Sequence, residues 1–176
     1  MNLFGPVVRA IAVAGALVVA SALPAFAGPA EMAVLEPYIG SWNGKGTMKG
    51  AEAETVVCKM SLSKGNGDKL NLTGRCQLAG AQLSVTGTIA WVDANRRYEA
   101  VMNSGIADFR GVAVGQKKGD SIVFDLKQRA LDDSGNDVQI SSNVTLTGGN
   151  SMAVSFHAQF VSTGDTIDAQ IPFAKS

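Results

Sequence analysis

The stretch from residue 55 to residue 78 reads TVVCKMSLSKGNGDKLNLTGRCQL. Apolar and polar residues alternate with a period of two on both sides of KGNGD, a run that is dense in turn-forming residues. The pattern predicts two antiparallel strands whose apolar side chains share one face. A hairpin folded about Gly67 pairs residues whose numbers sum to 134, because 58 and 76 are equally distant from 67. Cys58 is therefore expected directly opposite Cys76.

This pairing predicts a disulfide within the hairpin. Directly opposed positions bring the two Cβ atoms to about 4.5–5.5 Å, near the distance that a disulfide requires. In the chain-entropy model, closing a loop of this size stabilises the folded state by about 3 kcal/mol. A redox-active pair is the alternative, but the sequence has no Cys-x-x-Cys spacing and no nearby histidine to lower a thiol pKa. We therefore interpret Cys58 and Cys76 as a structural disulfide.

The same alternation covers most of the chain after Gly40, and short turn-rich segments separate the predicted strands. Strands joined in sequence by hairpins form an antiparallel meander, and closing the meander removes its exposed edges. The predicted fold is all-β: an up-and-down meander of about ten strands closing into a barrel. A short helix is expected from Glu31 to Glu36, ended by Pro37. Only the segment from Ile106 to Gln116 is ambiguous, because both of its faces carry mixed residues.

The beginning of the chain predicts export. Residues 1–27 contain one charged residue, Arg9, followed by a run of small and apolar residues and then by small residues before a cleavage point between Ala27 and Gly28. An uncleaved anchor is the alternative, but the apolar run is short for a membrane span. We expect a signal peptide over 1–27 and one barrel domain over 28–176. The mature protein would be periplasmic or secreted and not inserted in a membrane.

Composition argues against several classes of function. Fifteen basic and fifteen acidic residues give a net charge of zero, and aromatic residues make up 6% of the chain, so a nucleic-acid surface is not expected. One histidine and two cysteines leave little material for a zinc site or a histidine-based triad. The carboxylates of Asp93, Asp132 and Asp133 fall in predicted turns, where turn hydrogen bonds explain them. We expect a protein that is not an enzyme.

Residues 40–46 read GSWNGKG, and they follow the predicted helix at the start of the first strand. A short helix leading into Gly-x-Trp on the first strand of an all-β meander resembles the beginning of the calycin barrels. Lipocalins share Gly-x-Trp, and the longer Gly-x-Trp-x-Gly-x-Gly form is similar to the ten-stranded nitrobindin-type barrels. The resemblance implies that Trp42 closes one end of the barrel. A core tryptophan in another kind of β-sandwich remains the alternative.

The nitrobindin resemblance also raises the question of whether His157 ligates haem. Barrels of that type hold haem through a histidine on a late strand, and His157 is the only histidine of this chain. The register disfavours this role. Phe156 and Ala158 belong to the alternating apolar residues from Met152 to Phe160 that form the predicted inner face, so His157 between them is expected to face outward. Haem ligation through His157 therefore remains an alternative, and the expectation is that no cofactor or metal is bound.

The predicted inner wall consists of apolar residues and glycine, with Tyr98 and Ser142 as its clearest polar members. A wall without inward charge suits a small apolar ligand. The alternative is that the same residues fill a solid core, and that the protein is an interaction or inhibitor module with a cell-envelope protein as its partner. The candidate lining residues are Trp42, Met60, Leu72, Trp91, Tyr98, Met102, Phe124, Ser142, Phe156 and Phe160.

Overall fold

The structure is a computed structural model that describes residues 28–78, 81–104, 110–132 and 134–176. The predicted signal peptide and its cleavage point before Gly28 lie outside this part of the chain. Among the described residues, no helix combines the length and the apolar character that crossing a membrane would require.

Ten strands account for most of the described residues. They are preceded by a helix, α1, over Gly28–Ala33 and by a 3-10 turn over Glu36–Tyr38, and a second 3-10 turn over Asp93–Asn95 separates the fourth and fifth strands. The strands are β1 (Gly40–Lys49), β2 (Ala53–Lys64), β3 (Lys69–Leu78), β4 (Ala81–Val92), β5 (Arg97–Ser104), β6 (Arg110–Lys118), β7 (Ser121–Leu131), β8 (Asp137–Thr147), β9 (Ser151–Phe160) and β10 (Thr166–Lys175).

Each strand pairs antiparallel with the next, and β1 also pairs with β10, so the sheet closes into a barrel. The predicted fold class is confirmed. The helix differs from its prediction: α1 begins at Gly28 and ends at Ala33, and Pro37 lies inside the following 3-10 turn instead of ending a helix. Proline is compatible with that position because the first turn of a helix does not need its missing N–H.

The β2–β3 hairpin has the predicted register. Cys58 pairs with Cys76 across the ladder and forms the disulfide, with the two Cα atoms 4.0 Å apart. Gly67 adopts a φ of 66°, the left-handed conformation that glycine tolerates and that the turn between these strands uses. Alternation together with the centre of the turn was therefore enough to place the disulfide.

The ambiguous segment overlaps β6 from residue 110 to residue 116, and its residues 106–109 lie outside the described part of the chain. Its inward residues are small: Gly111, Ala113 and Gly115 lie opposite Met102, Ala100 and Tyr98 of β5. Small inward residues do not produce an apolar alternation, which explains why the sequence pattern was unclear here.

Glycine also permits a close approach where the barrel closes. The β1–β10 ladder is interrupted between the pairs Gly44–Phe173 and Thr47–Gln170, in the region of Pro172, which has no N–H to donate. A Cβ on Gly46 would collide with the backbone oxygen of Gln170. Glycine at position 46 thus lets the first and last strands come together.

Candidate functional site: the barrel interior and its two ends

The two ends of the barrel are named by the strands that meet there. At the helix end, β1 begins at Gly40 and β10 ends at Lys175, whereas at the far end β1 ends at Lys49 and β10 begins at Thr166. All ten predicted lining residues occupy inward positions, but their burial differs. Three are buried, namely Trp42, Tyr98 and Phe124, and the others are partly exposed, namely Met60, Leu72, Trp91, Met102, Ser142, Phe156 and Phe160.

Trp42 lies in the helix end, as the resemblance implied. Its side chain is completely buried, and its indole Nε1 donates a 2.9 Å hydrogen bond to the backbone oxygen of Tyr38 in the 3-10 turn. The rings of Tyr38 and Trp42 stack with centroids 6.3 Å apart. The Lys175 ammonium lies 5.8 Å from the centroid of the Trp42 ring and donates to the backbone oxygen of Pro37. These contacts fix the N-terminal segment over this end.

Tyr98 attaches α1 to the barrel wall. Its hydroxyl donates to the backbone oxygen of Glu31 at 2.9 Å, and a Glu31 carboxylate oxygen lies 3.3 Å away. Burial raises the pKa of Tyr98 to about 12, and the Glu31 carboxylate acts in the same direction. The hydroxyl is therefore a neutral donor over the whole physiological range of pH.

Two of the predicted turn carboxylates are described, and of these Asp132 accepts turn hydrogen bonds whereas Asp93 accepts one from a side chain of the preceding strand. Asp93 accepts the indole N–H of Trp91 at 2.8 Å. Asp132 accepts the backbone N–H groups of Ser134 and Asn136, and the contacts with Asn136 lower the pKa of Asp132. Asp133 lies outside the described residues.

Packing is less complete toward the far end. The main buried cluster includes Met32, Leu35 and Tyr38 of the N-terminal segment together with inward residues of the strands. Three small or medium inward residues of the far half, Val138, Ala158 and Ala169, are buried but do not join that cluster. Other apolar inward residues of the far half touch the cluster while remaining partly exposed, among them Met48, Leu78 and Met102. The interior is thus filled at the helix end and loosely packed at the far end.

The far half contains an inward carboxylate. Glu54 lies on β2 directly opposite Met48 of β1, and both follow the inward register of their strands. Oxygen Oε2 of Glu54 is buried and has no hydrogen-bond partner among the described residues. The sequence expectation of an inner wall without charge is therefore wrong at this position. Extending the alternation two residues back from Val56 would have placed Glu54 on the inner face.

Glu54 begins a row of inward residues that runs across five strands. Met48 pairs with Ala169 of β10, Ala169 pairs with Phe156 of β9, and Phe156 pairs with Ser142 of β8. The Ser142 hydroxyl donates to a backbone oxygen of β9 at 3.1 Å. One level of the wall therefore carries a carboxylate, an apolar stretch and a hydroxyl.

His157 faces outward, as its register predicted. The pairing of β9 with β8 and β10 continues without a bulge from Met152 to His157, so Phe156 and Ala158 stay on the inner face. The imidazole Nδ1 lies 2.8 Å from Oδ1 of Asp168, and 44% of the His157 side chain is exposed. The imidazole is consequently on the opposite side of the wall from the interior.

Two depressions lie on the outside of the barrel, since each is lined by adjacent strands and mostly by outward residues. One, of ≈ 740 Å³, crosses β1 to β4 and includes Lys59 and Arg75. The other, of ≈ 360 Å³, crosses β7 to β10 and includes His157 and Asp168. Neither depression has a signature in the sequence, because their shape depends on the sizes of side chains from several strands.

Comparison with known proteins shows similarity only at the level of fold. No family model and no curated protein matches the chain. Rv2717c from M. tuberculosis is 17% identical, with a TM-score of 0.63 over 82% of this chain and 96% of that chain. The S-type phycobiliprotein lyase CPES from Guillardia theta is 7% identical, with a TM-score of 0.54 over 85% of this chain and 93% of that one. Together with the closed ten-stranded sheet, these likenesses fit a calycin-like barrel.

A third solved structure, a de novo designed fluorescence-activating β-barrel, is 12% identical, with a TM-score of 0.41 over 81% of this chain and 97% of that chain.

Proposed function

We propose that the protein binds a small, largely apolar molecule in the far half of the barrel and acts by binding rather than by catalysis. The observation that carries the proposal is the contrast in packing between the two halves. Inward apolar side chains of the far half, such as Met48 and Met102, are partly exposed, whereas Trp42 and Tyr98 at the helix end are buried. A concave apolar wall with few polar groups is the usual composition of a small-molecule site.

The residues of the far half suit an adaptable site. Met48 and Met102 both lie on the inner wall there, and the unbranched thioether side chain of methionine adjusts to ligands of different shape. The fold shared with Rv2717c and with the lyase supports the calycin-like architecture. A relationship to the lipocalin and nitrobindin-like barrels, based on residues 40–46, is part of this proposal.

We also propose that the protein is exported to the periplasm or secreted. The Cys58–Cys76 disulfide supports this location, because disulfides persist in oxidising compartments and are rare in the cytosol. The composition of residues 1–27 supports it independently. N-terminal sequencing of the exported protein tests the proposal: a chain that starts within two residues of Gly28 is expected, and an intact Met1 would overturn it.

Binding is tested by titrating the purified protein with a neutral apolar dye such as Nile red. Ala158 is buried in the far half, whereas Ala153 on the same strand is exposed and faces outward. Ala158→Phe should weaken dye binding about tenfold or more by occupying the interior, and the matched control Ala153→Phe should leave it unchanged. Native mass spectrometry of protein isolated from its own compartment should then show a co-purifying small molecule. Absence of dye binding by the wild type would contradict the proposal.

A second candidate is an interaction module for an envelope protein, favoured by the depression across β1 to β4 with Lys59 and Arg75. In that case the interior is core, and Ala158→Phe lowers the free energy of unfolding by about 1–3 kcal/mol through overpacking. Chemical denaturation of the same variant therefore separates the two candidates. Under the binding proposal its stability stays close to that of the wild type.

A further inference from the structure

We infer that the ligand carries a cationic group with N–H donors, such as a primary ammonium, and that this group pairs with Glu54. The inference rests on the proposed function, since it concerns the same interior. It identifies the ligand as an amphiphile whose apolar part follows the inner wall and whose charged end lies at the carboxylate.

The unpartnered oxygen of Glu54 is the first reason. An ionised carboxylate can only accept hydrogen bonds, and it has about four acceptor positions to satisfy. Oxygen Oε2 of Glu54 is shielded from solvent and accepts no hydrogen bond from the described residues. Buried polar atoms are rarely left in this state, because losing water without gaining a partner is unfavourable. A bound donor would remove this penalty.

The neighbours of Glu54 are the second reason. The inward residues beside it on β1 and β10 are Met48 and Ala169, and neither side chain has a donor. Lys175 follows the inward register of β10, but it lies at the helix end and donates to Pro37. The Ser142 hydroxyl farther along the row donates to the backbone of β9. Within the described ranges, therefore, the inward side chains beside Glu54 on β1 and β10 supply no donor to its carboxylate, and we assign the complementary charge to the ligand.

The row that begins at Glu54 is the third reason, because it continues from the carboxylate into apolar surface. Met48, Ala169 and Phe156 follow in order, before the row reaches Ser142. Four strand steps of about 4.8 Å separate Glu54 from Ser142, or roughly 19 Å along the wall. An alkyl or aromatic body attached to an ammonium group would contact these residues while its charged end stays at Glu54.

The test compares probes that share one chain and differ in the head group. Dodecylamine, dodecanol and dodecanoate, each below its micellar concentration, compete with Nile red for the wild-type protein. Dodecylamine should bind about tenfold more tightly than dodecanol, because a hydrogen bond between charged groups is stronger than a neutral one. Dodecanoate should bind most weakly, since its carboxylate faces that of Glu54.

Variants then assign the preference to one residue. Glu54→Gln should bring the affinities for dodecylamine and dodecanol to within about threefold of each other, because the charge is lost while the shape is kept. Glu52→Gln is the matched control: Glu52 is exposed between β1 and β2, so the wild-type ranking should persist. Glu54→Asp keeps the charge and should keep the ranking, which guards against a nonspecific effect of substitution at this position.

The outcomes separate the inference from the proposal on which it rests. If all three probes displace the dye with equal affinity, or if Glu54→Gln retains the preference for the amine, the inference is overturned and binding in the interior stands. If neither the dye nor any probe binds, the proposed function is overturned, and the inference that rests on it is overturned with it.

Discussion

The helix end and the far end of the barrel are formed by the same ten strands, yet the two ends differ in whether their inward polar groups have hydrogen-bond partners. At the helix end, the N-terminal segment provides backbone acceptors for Trp42, Tyr98 and Lys175. At the far end, the inward carboxylate of Glu54 has a buried oxygen without a described partner. Residues 28–39, which lie outside the sheet, provide hydrogen-bond acceptors for the inward polar groups at the helix end. At the far end, the carboxylate oxygen of Glu54 is available for a donor on a bound ligand.

The largest expected effect on stability is that of truncating the aromatic side chain at the helix end, compared with truncating one in the far half. Trp42→Ala should lower the free energy of unfolding by about 3–5 kcal/mol, because it removes a fully buried ring from a well-packed cluster. Phe156→Ala should have a smaller effect, since Phe156 is partly exposed in the loosely packed half. Urea denaturation of both variants measures the contrast. Equal losses would show that the two ends are packed alike.

A smaller effect is expected from removing the attachment of α1. Tyr98→Phe loses the hydrogen bonds to Glu31, and we expect it to reduce stability at neutral pH by about 1 kcal/mol. Dye binding at the far end should not change, because the hydroxyl lies at the helix end. A variant with weakened dye binding would show that the two ends are coupled.

The same variant tests the pH dependence of the wild type. The pKa of Tyr98 is about 12 in the folded state and about 10 for an unperturbed tyrosine. Between these pH values the unfolded chain loses a proton that the folded chain keeps, so the Tyr98 contribution to stability falls as pH rises from about 10 to about 12. Tyr98→Phe should lack this component, and unfolding midpoints of both proteins across that range measure the difference.

The smallest effect is expected outside the barrel. His157→Ala removes an exposed pair with Asp168 and should hardly change stability or dye binding. Because the imidazole faces outward, we expect haemin titration to give no specific, stoichiometric Soret shift in either the wild type or the variant. A stoichiometric shift that is lost in His157→Ala would refute this expectation and favour the haem-binding alternative.

Local sequence patterns predicted those parts of the structure that depend on local geometry. The hairpin register, the disulfide and the outward direction of His157 all follow from period-two alternation and the position of a turn. Glu54 was missed because a charged residue at an inward position interrupts the apolar pattern that defines the face. β6 was unclear because its inward residues are small. The outer depressions combine side chains from four strands, and such an arrangement has no signature in a single segment.

The closure between β1 and β10 has a consequence for folding kinetics. Every other ladder joins strands that are consecutive in the chain, whereas this one joins the first strand to the last. Its contact order is the highest in the molecule, and the entropy of closing so long a loop must be lost before its hydrogen bonds are gained. The Cys58–Cys76 disulfide lies within a single hairpin and does not shorten this loop. We therefore expect closure at Gly46 to be the late, rate-limiting step, reached after the hairpins have formed.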